Sequence, residues 1–102
     1  MFERAPAGLV FLGYPLHPPA KPEKRRDAHL PDVKTPMLFL HGSRDPFGTP
    51  DEMRDLVKPL KRATLVMIDG GGHSFEAPQR DGGDRSPQAF TAAIAWMNEH
   101  VG

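Results

Sequence analysis

Three stretches of the chain are apolar without alternation: residues 7–14 (Ala-Gly-Leu-Val-Phe-Leu-Gly-Tyr), 37–41 (Met-Leu-Phe-Leu-His) and 64–68 (Thr-Leu-Val-Met-Ile). Short runs that are apolar on both faces suit strands of a parallel sheet covered on each side. Each run is closed by turn residues, Pro15, Gly42 and Gly70 with Gly71 and Gly72. Between the second and third runs the spacing changes to that of a helix. Thr49 can serve as N-cap, Pro50 stands at the first helical position, and Glu52 three residues after Thr49 completes a capping box. Met53, Leu56, Val57 and Leu60 then form one apolar stripe, which Pro59 is expected to end or bend. A second helix is predicted from Ser86 as cap and Pro87 at the first position, with Phe90, Ala93, Ile94, Met97 and Val101 on its buried face. The order is strand, long loop, strand, helix, strand, loop, helix. That alternation predicts an α/β fold with right-handed crossovers.

Two connections are long. Residues 15–36 join the first two strands, with one short helix expected near residues 24–30, and residues 76–85 are polar and contain Gly82-Gly83. Long loops are either functional or plain surface connections, and the sequence leaves both readings open.

Composition narrows the function classes. The 102 residues carry 13 basic and 13 acidic side chains, so no net positive charge points to nucleic acid. The one dense basic run, Lys21, Lys24, Arg25 and Arg26, lies among prolines and reads as a solvated loop. There is no cysteine, which excludes disulfides and thiolate metal sites and fits a reducing cytoplasm. The first apolar run is too short for a signal segment or a membrane span, so no membrane association is expected.

The candidate chemistry stands at strand ends, where open parallel sheets bind their ligands. Asp45 follows the second strand within His41-Gly42-Ser43-Arg44-Asp45-Pro46. His73 follows the third within Asp69-Gly70-Gly71-Gly72-His73-Ser74-Phe75. If those strands are parallel neighbours, the two side chains meet. A carboxylate that accepts from one ring nitrogen fixes the histidine tautomer and stabilises the imidazolium formed when the other nitrogen takes a proton. The plain reading of Asp45 is a turn residue, and that of His73 an exposed side chain after a glycine loop.

The two strand-end segments together resemble those that carry the acid and base of α/β-hydrolases, whose triad runs in the order Ser, Asp, His. Gly13-Tyr14-Pro15-Leu16-His17-Pro18-Pro19 resembles more closely the dienelactone-hydrolase-like branch, which includes relatives of the NSL-complex subunit and the testis-expressed hydrolase-like proteins. The resemblance extends over roughly residues 7–101. It implies the C-terminal half of the fold, three parallel strands with flanking helices in a single partial domain over residues 1–102. It also implies Asp45 as catalytic acid, His73 as base, a small ester or acyl substrate and no cofactor or metal.

The departure from that family is the nucleophile. No Gly-x-Ser-x-Gly occurs in the chain, and its three serines do not replace it. Ser43 has His41 two positions before it where glycine is required. Ser74 has Glu76 two positions after it, with Pro78 following where the elbow needs a helix. Ser86 reads as a helix cap. The chain is therefore expected to be the tail of a serine hydrolase lacking its nucleophile-bearing half, or a half-domain that binds a partner or itself through the strand edge Gly8-Leu9-Val10-Phe11-Leu12-Gly13-Tyr14. Other chemistries fit less well. Phe75 breaks a dinucleotide fingerprint begun at Gly70, and no Gly-Lys-Ser/Thr follows for a phosphate loop. His41, His73 and Asp45 have no ligand spacing typical of a metal. His17 either faces the cleft from its loop or, as is commoner for a histidine among prolines, is a solvated loop residue, while His29 and His100 read as helix-surface residues and Trp96 as packing.

Overall fold

A computed structural model describes residues 8–21, 23–25, 28 and 30–100, with the side chains of Asp81 and His100 outside the description. Three strands, β1 (Leu9–Leu12), β2 (Met37–Gly42) and β3 (Ala63–Ile68), form one parallel sheet in the order β1-β2-β3. Leu9 pairs with Met37 and Met37 with Ala63, and the register runs without interruption to Gly42 opposite Ile68. Helix α1 (Pro50–Val57) crosses from β2 to β3, and α2 (Ser86–His100) follows β3. The fold class is thus α/β, a three-stranded parallel portion with flanking helices.

Strand β2 is central and buried along its whole length. Its side chains alternate between two cores, as strand geometry dictates. Met37 and Phe39 face the α1 side with Met53, Leu56, Tyr14, Leu16 and Leu30. Leu38 and Leu40 face the α2 side with Ile68, Phe75, Ala89, Ala93 and Trp96. Covering both faces is what allows three uninterrupted apolar runs to coexist with water outside. Burying each large side chain contributes about 1.5–3 kcal/mol. On the α1 side, Phe11 stacks on Phe39 at 4.7 Å, and the Tyr14 ring meets both edge-on at 5.3 and 5.6 Å.

Helix α1 starts as its sequence dictates. The Thr49 side chain accepts from the Glu52 amide at 3.2 Å, and Glu52 Oε1 accepts from the Thr49 amide at 2.9 Å. It stops at Val57: Lys58 caps it, still in helical conformation and donating to the Arg54 carbonyl, and Pro59, which follows, has no N–H to continue the ladder.

Helix α2 departs from expectation in two ways. Its buried face is Ala89, Ala93 and Trp96, whereas Phe90 and Ile94 are 58 % and 57 % exposed and Met97 is exposed too. Val101 lies outside the described residues. Alanines let the helix axis approach the sheet, and Trp96 then fills the remaining depth, so the bulkier stripe is left outside. Ser86 is the first helical residue rather than a cap. Its hydroxyl donates to Asp84 at 3.0 Å, and the same carboxylate accepts from its amide at 3.2 Å.

The loop of residues 15–36 is not a plain surface connection, since Leu16, His17 and Leu30 are buried. Its helical piece is a short 3-10 turn, Leu30–Asp32, later than expected. Arg26, Asp27 and His29 lie outside the described residues.

Candidate active site

The C-terminal ends of all three strands converge. Asp45 is only 2 % exposed, in the turn that follows β2. Its backbone amide donates to the Gly42 carbonyl and its carbonyl accepts from the Gly48 amide, so the turn is closed at both ends. Oδ1 accepts from the Phe47 amide at 2.8 Å. Oδ2 lies 2.9 Å from His73 Nδ1. A carboxylate oxygen only accepts, so Nδ1 carries a proton, and in the neutral ring Nε2 then holds the lone pair. No partner for Nε2 occurs among the described residues, and the His73 side chain is 35 % exposed.

Several neighbours build this geometry. The Phe47 ring lies over the His73 imidazole at a centroid distance of 4.4 Å. Gly13, with φ +71°, passes directly against the His73 backbone. A Cβ there would collide with the His73 carbonyl, so this crossing requires glycine. Ser43 fastens the two turns together, its hydroxyl accepting from the Gly70 amide at 2.8 Å. Behind Asp45, fully buried His41 donates from Nε2 to the Gly48 carbonyl at 2.8 Å, with Asp45 Oδ2 3.4 Å away. Its Nδ1 is buried without a partner among the described residues.

His17 is 4 % exposed and therefore not the solvated residue that its proline-rich context suggested. Its Nδ1 lies 2.8 Å from the Pro18 carbonyl and its Nε2 2.8 Å from Glu52 Oε1. The Glu52 hydrogen bond, followed by that of the Pro18 carbonyl, raises its pKa above the ordinary 6.5, against burial and the Arg25 charge. Glu52 is held below its ordinary 4.5 by the Thr49 amide first and His17 second.

The sequence-predicted pair, Asp45 and His73, is thus brought together. The serines are not brought to it. Ser43 is engaged with Gly70, Ser86 with Asp84, and the His73 ring bonds only to Asp45 among the described residues. His17, His41, Phe47 and Gly13 were missed as members of this site. The Gly-Tyr-Pro-Leu-His motif was the signal for two of them. Among the described residues no cluster of three or more His, Asp or Glu side chains is arranged to hold a metal ion. A cavity of about 630 Å³, lined by Leu30, Val33, Met37 and Leu60 among others, lies at the opposite end of β2. It is therefore remote from this chemistry.

A parallel α/β sheet with a carboxylate-oriented histidine at its strand ends defines a class of protein, the α/β hydrolases. The sequence model of the Alpha/beta hydrolase domain family matches residues 2–102, and the chain belongs to that family. No solved structure matches the chain. No helix among the described residues is long and apolar enough to cross a membrane.

Proposed function

We propose that this chain supplies the base and its orienting acid to a serine hydrolase of esters or related acyl compounds, in the dienelactone-hydrolase-like branch. The observation that carries the reading is the 2.9 Å bond between Asp45 Oδ2 and His73 Nδ1, with Nε2 unengaged among the described residues. In the reaction a serine oxygen attacks the acyl carbon while His73 Nε2 takes its proton. The imidazolium, stabilised by Asp45, then returns that proton to the leaving group, and water repeats the cycle on the acyl-enzyme. The serine and the oxyanion donors come from outside residues 1–102. The 102 residues alone have no triad turnover, since loss of the nucleophile in a related triad costs on the order of 10⁶-fold. The absence of cysteine is consistent with a cytoplasmic setting.

The test is labelling of the protein as isolated from its natural source with a fluorophosphonate. A labelled serine, and loss of labelling on His73→Ala, is the expected result. A folded protein that ignores the probe sinks the reading. For the isolated 102 residues, saturable ester turnover abolished by His73→Ala would contradict it.

A second reading, a half-domain that binds a protein partner or a second copy, draws on β1. This strand is at the sheet edge, and its Leu12 is 54 % exposed. A mass that rises with concentration in light scattering supports this reading, and a monomer at high concentration removes it.

A further inference from the structure

We propose that His17, held as an imidazolium between the Pro18 carbonyl and Glu52, is a positioning residue that fixes the turn of residues 43–48 and, through it, the Asp45–His73 pair. Both ring nitrogens of His17 lie 2.8 Å from oxygens that can only accept. Each nitrogen must then donate, and an imidazole that donates twice is positively charged.

The connection onward is short. The His17 amide donates to the Phe47 carbonyl at 3.0 Å. The Phe47 amide donates to Asp45 Oδ1, and its ring covers that of His73. One residue further on, the Gly48 carbonyl accepts from His41, and a Cβ on Gly48 would crowd Met53, His41 and Leu16. Glu52 anchors the other end, because its carboxylate also accepts from the Thr49 amide in the capping box of α1. The ion pair therefore ties three pieces together: the loop after β1, the start of α1 and the acid's own turn.

The charged groups facing His17 are Glu52 from α1 and Arg25 from its own loop, and they act in opposite directions. The folded pKa of His17 is raised, so its contribution is complete below the unfolded value and is lost as pH rises through the folded one. The pKa of Glu52 is lowered, so its contribution is lost as pH falls through the folded value. The clamp is closed between those two pKa values.

The functional meaning rests on the acid–base reading of Asp45 and His73, but the test does not. The experiment is a pH titration of the ¹⁵N-labelled 102-residue chain by NMR. It follows the His17 and His73 ring nitrogens, the Phe47 amide and hydrogen exchange of the His73 Nδ1 proton. His17 is expected to be doubly protonated up to a midpoint that lies above 6.5. The Phe47 shift should follow that midpoint. Nδ1 exchange should become about tenfold faster above it, the loss of one net hydrogen bond. Glu52→Gln keeps an oxygen for the Thr49 cap and removes the charge, so it should lower the His17 midpoint and carry the Phe47 and His73 changes with it. A His17 whose midpoint does not lie above 6.5 overturns the proposal. So does a Phe47 amide and His73 proton that ignore the His17 midpoint in the unsubstituted chain, or that stay in place when Glu52→Gln moves it. If the coupling holds while the natural protein resists fluorophosphonate, the triad reading fails and the clamp stands.

Discussion

Replacing Asp45 by Asn removes a charge and little else, which makes it the sharpest probe of the site. Asp45 is nearly inaccessible and accepts from the Phe47 amide and His73 Nδ1, with His41 Nε2 at 3.4 Å. An asparagine must keep its oxygen towards the Phe47 amide, because the reverse places two donors 2.8 Å apart. Its NH₂ then faces His73 Nδ1, which can only respond by becoming an acceptor. The neutral imidazole is forced into the Nε2–H tautomer, and the lone pair needed for base catalysis is on the wrong nitrogen. In stability, a charge-assisted bond worth about 1.5–3 kcal/mol is exchanged for a neutral one worth about 0.5–1.5 kcal/mol. The net loss is about 1–2 kcal/mol, or about 5–15 °C in Tm for a chain of this size. Thermal unfolding by circular dichroism reads the second effect, and ring ¹⁵N shifts of the neutral His73 imidazole read the first. In the natural protein, if it carries the nucleophile, turnover should fall on the order of 10⁴-fold. A His73 that keeps its proton on Nδ1 in Asp45→Asn, or an unchanged Tm, would refute the argument.

Three other outcomes follow from the packing. Thr49→Ala removes the cap of α1 and should cost about 1 kcal/mol in chemical denaturation, with the sheet intact. Gly13→Ala meets both a positive φ and the His73 carbonyl, so it should destabilise by at least about 1–3 kcal/mol and shift the His73 ring signals, read by NMR. On α2, Trp96→Ala should cost about 3–5 kcal/mol, whereas Ile94→Gln should stay within about 0.5 kcal/mol in urea titrations.

The contrast within α2 shows what periodicity could and could not reveal. Residues 89–97 are apolar except Thr91, so several stripes satisfy helical spacing equally well. The stripe with the largest side chains was the natural choice from sequence. The selection was made instead by depth: the sheet takes alanines where helix and strand approach and one indole where they diverge. By contrast, α1 was legible because its signals are local, a cap and a box within four residues. Asp45 and His73 were legible because each ends a recognisable strand, and neighbouring parallel strands fix the rest. His17 was not, because its partner is 35 positions away and the partner's local role in the capping box already accounted for it. His41 stands only four positions before Asp45, but its place in an apolar strand run hid that it backs the acid.

The uninterrupted pairing of β2 with β3 also has a bearing on how mistakes in assembly are excluded. Gly42 is matched with Ile68, and Asp45 and His73 follow at fixed distances along their chains. Sliding one strand by a single residue displaces the carboxylate by about 3.3 Å relative to the ring and turns the strand's side chains to the opposite layer. Apolar runs such as Met-Leu-Phe-Leu would tolerate that slip in hydrophobic terms alone, since large side chains occupy both layers. The bond between the acid and the histidine would not survive it, and two polar groups would be left unpaired. The same contact that prepares the imidazole for chemistry therefore acts as a tally mark for alignment, allowing one register among several that greasiness would accept.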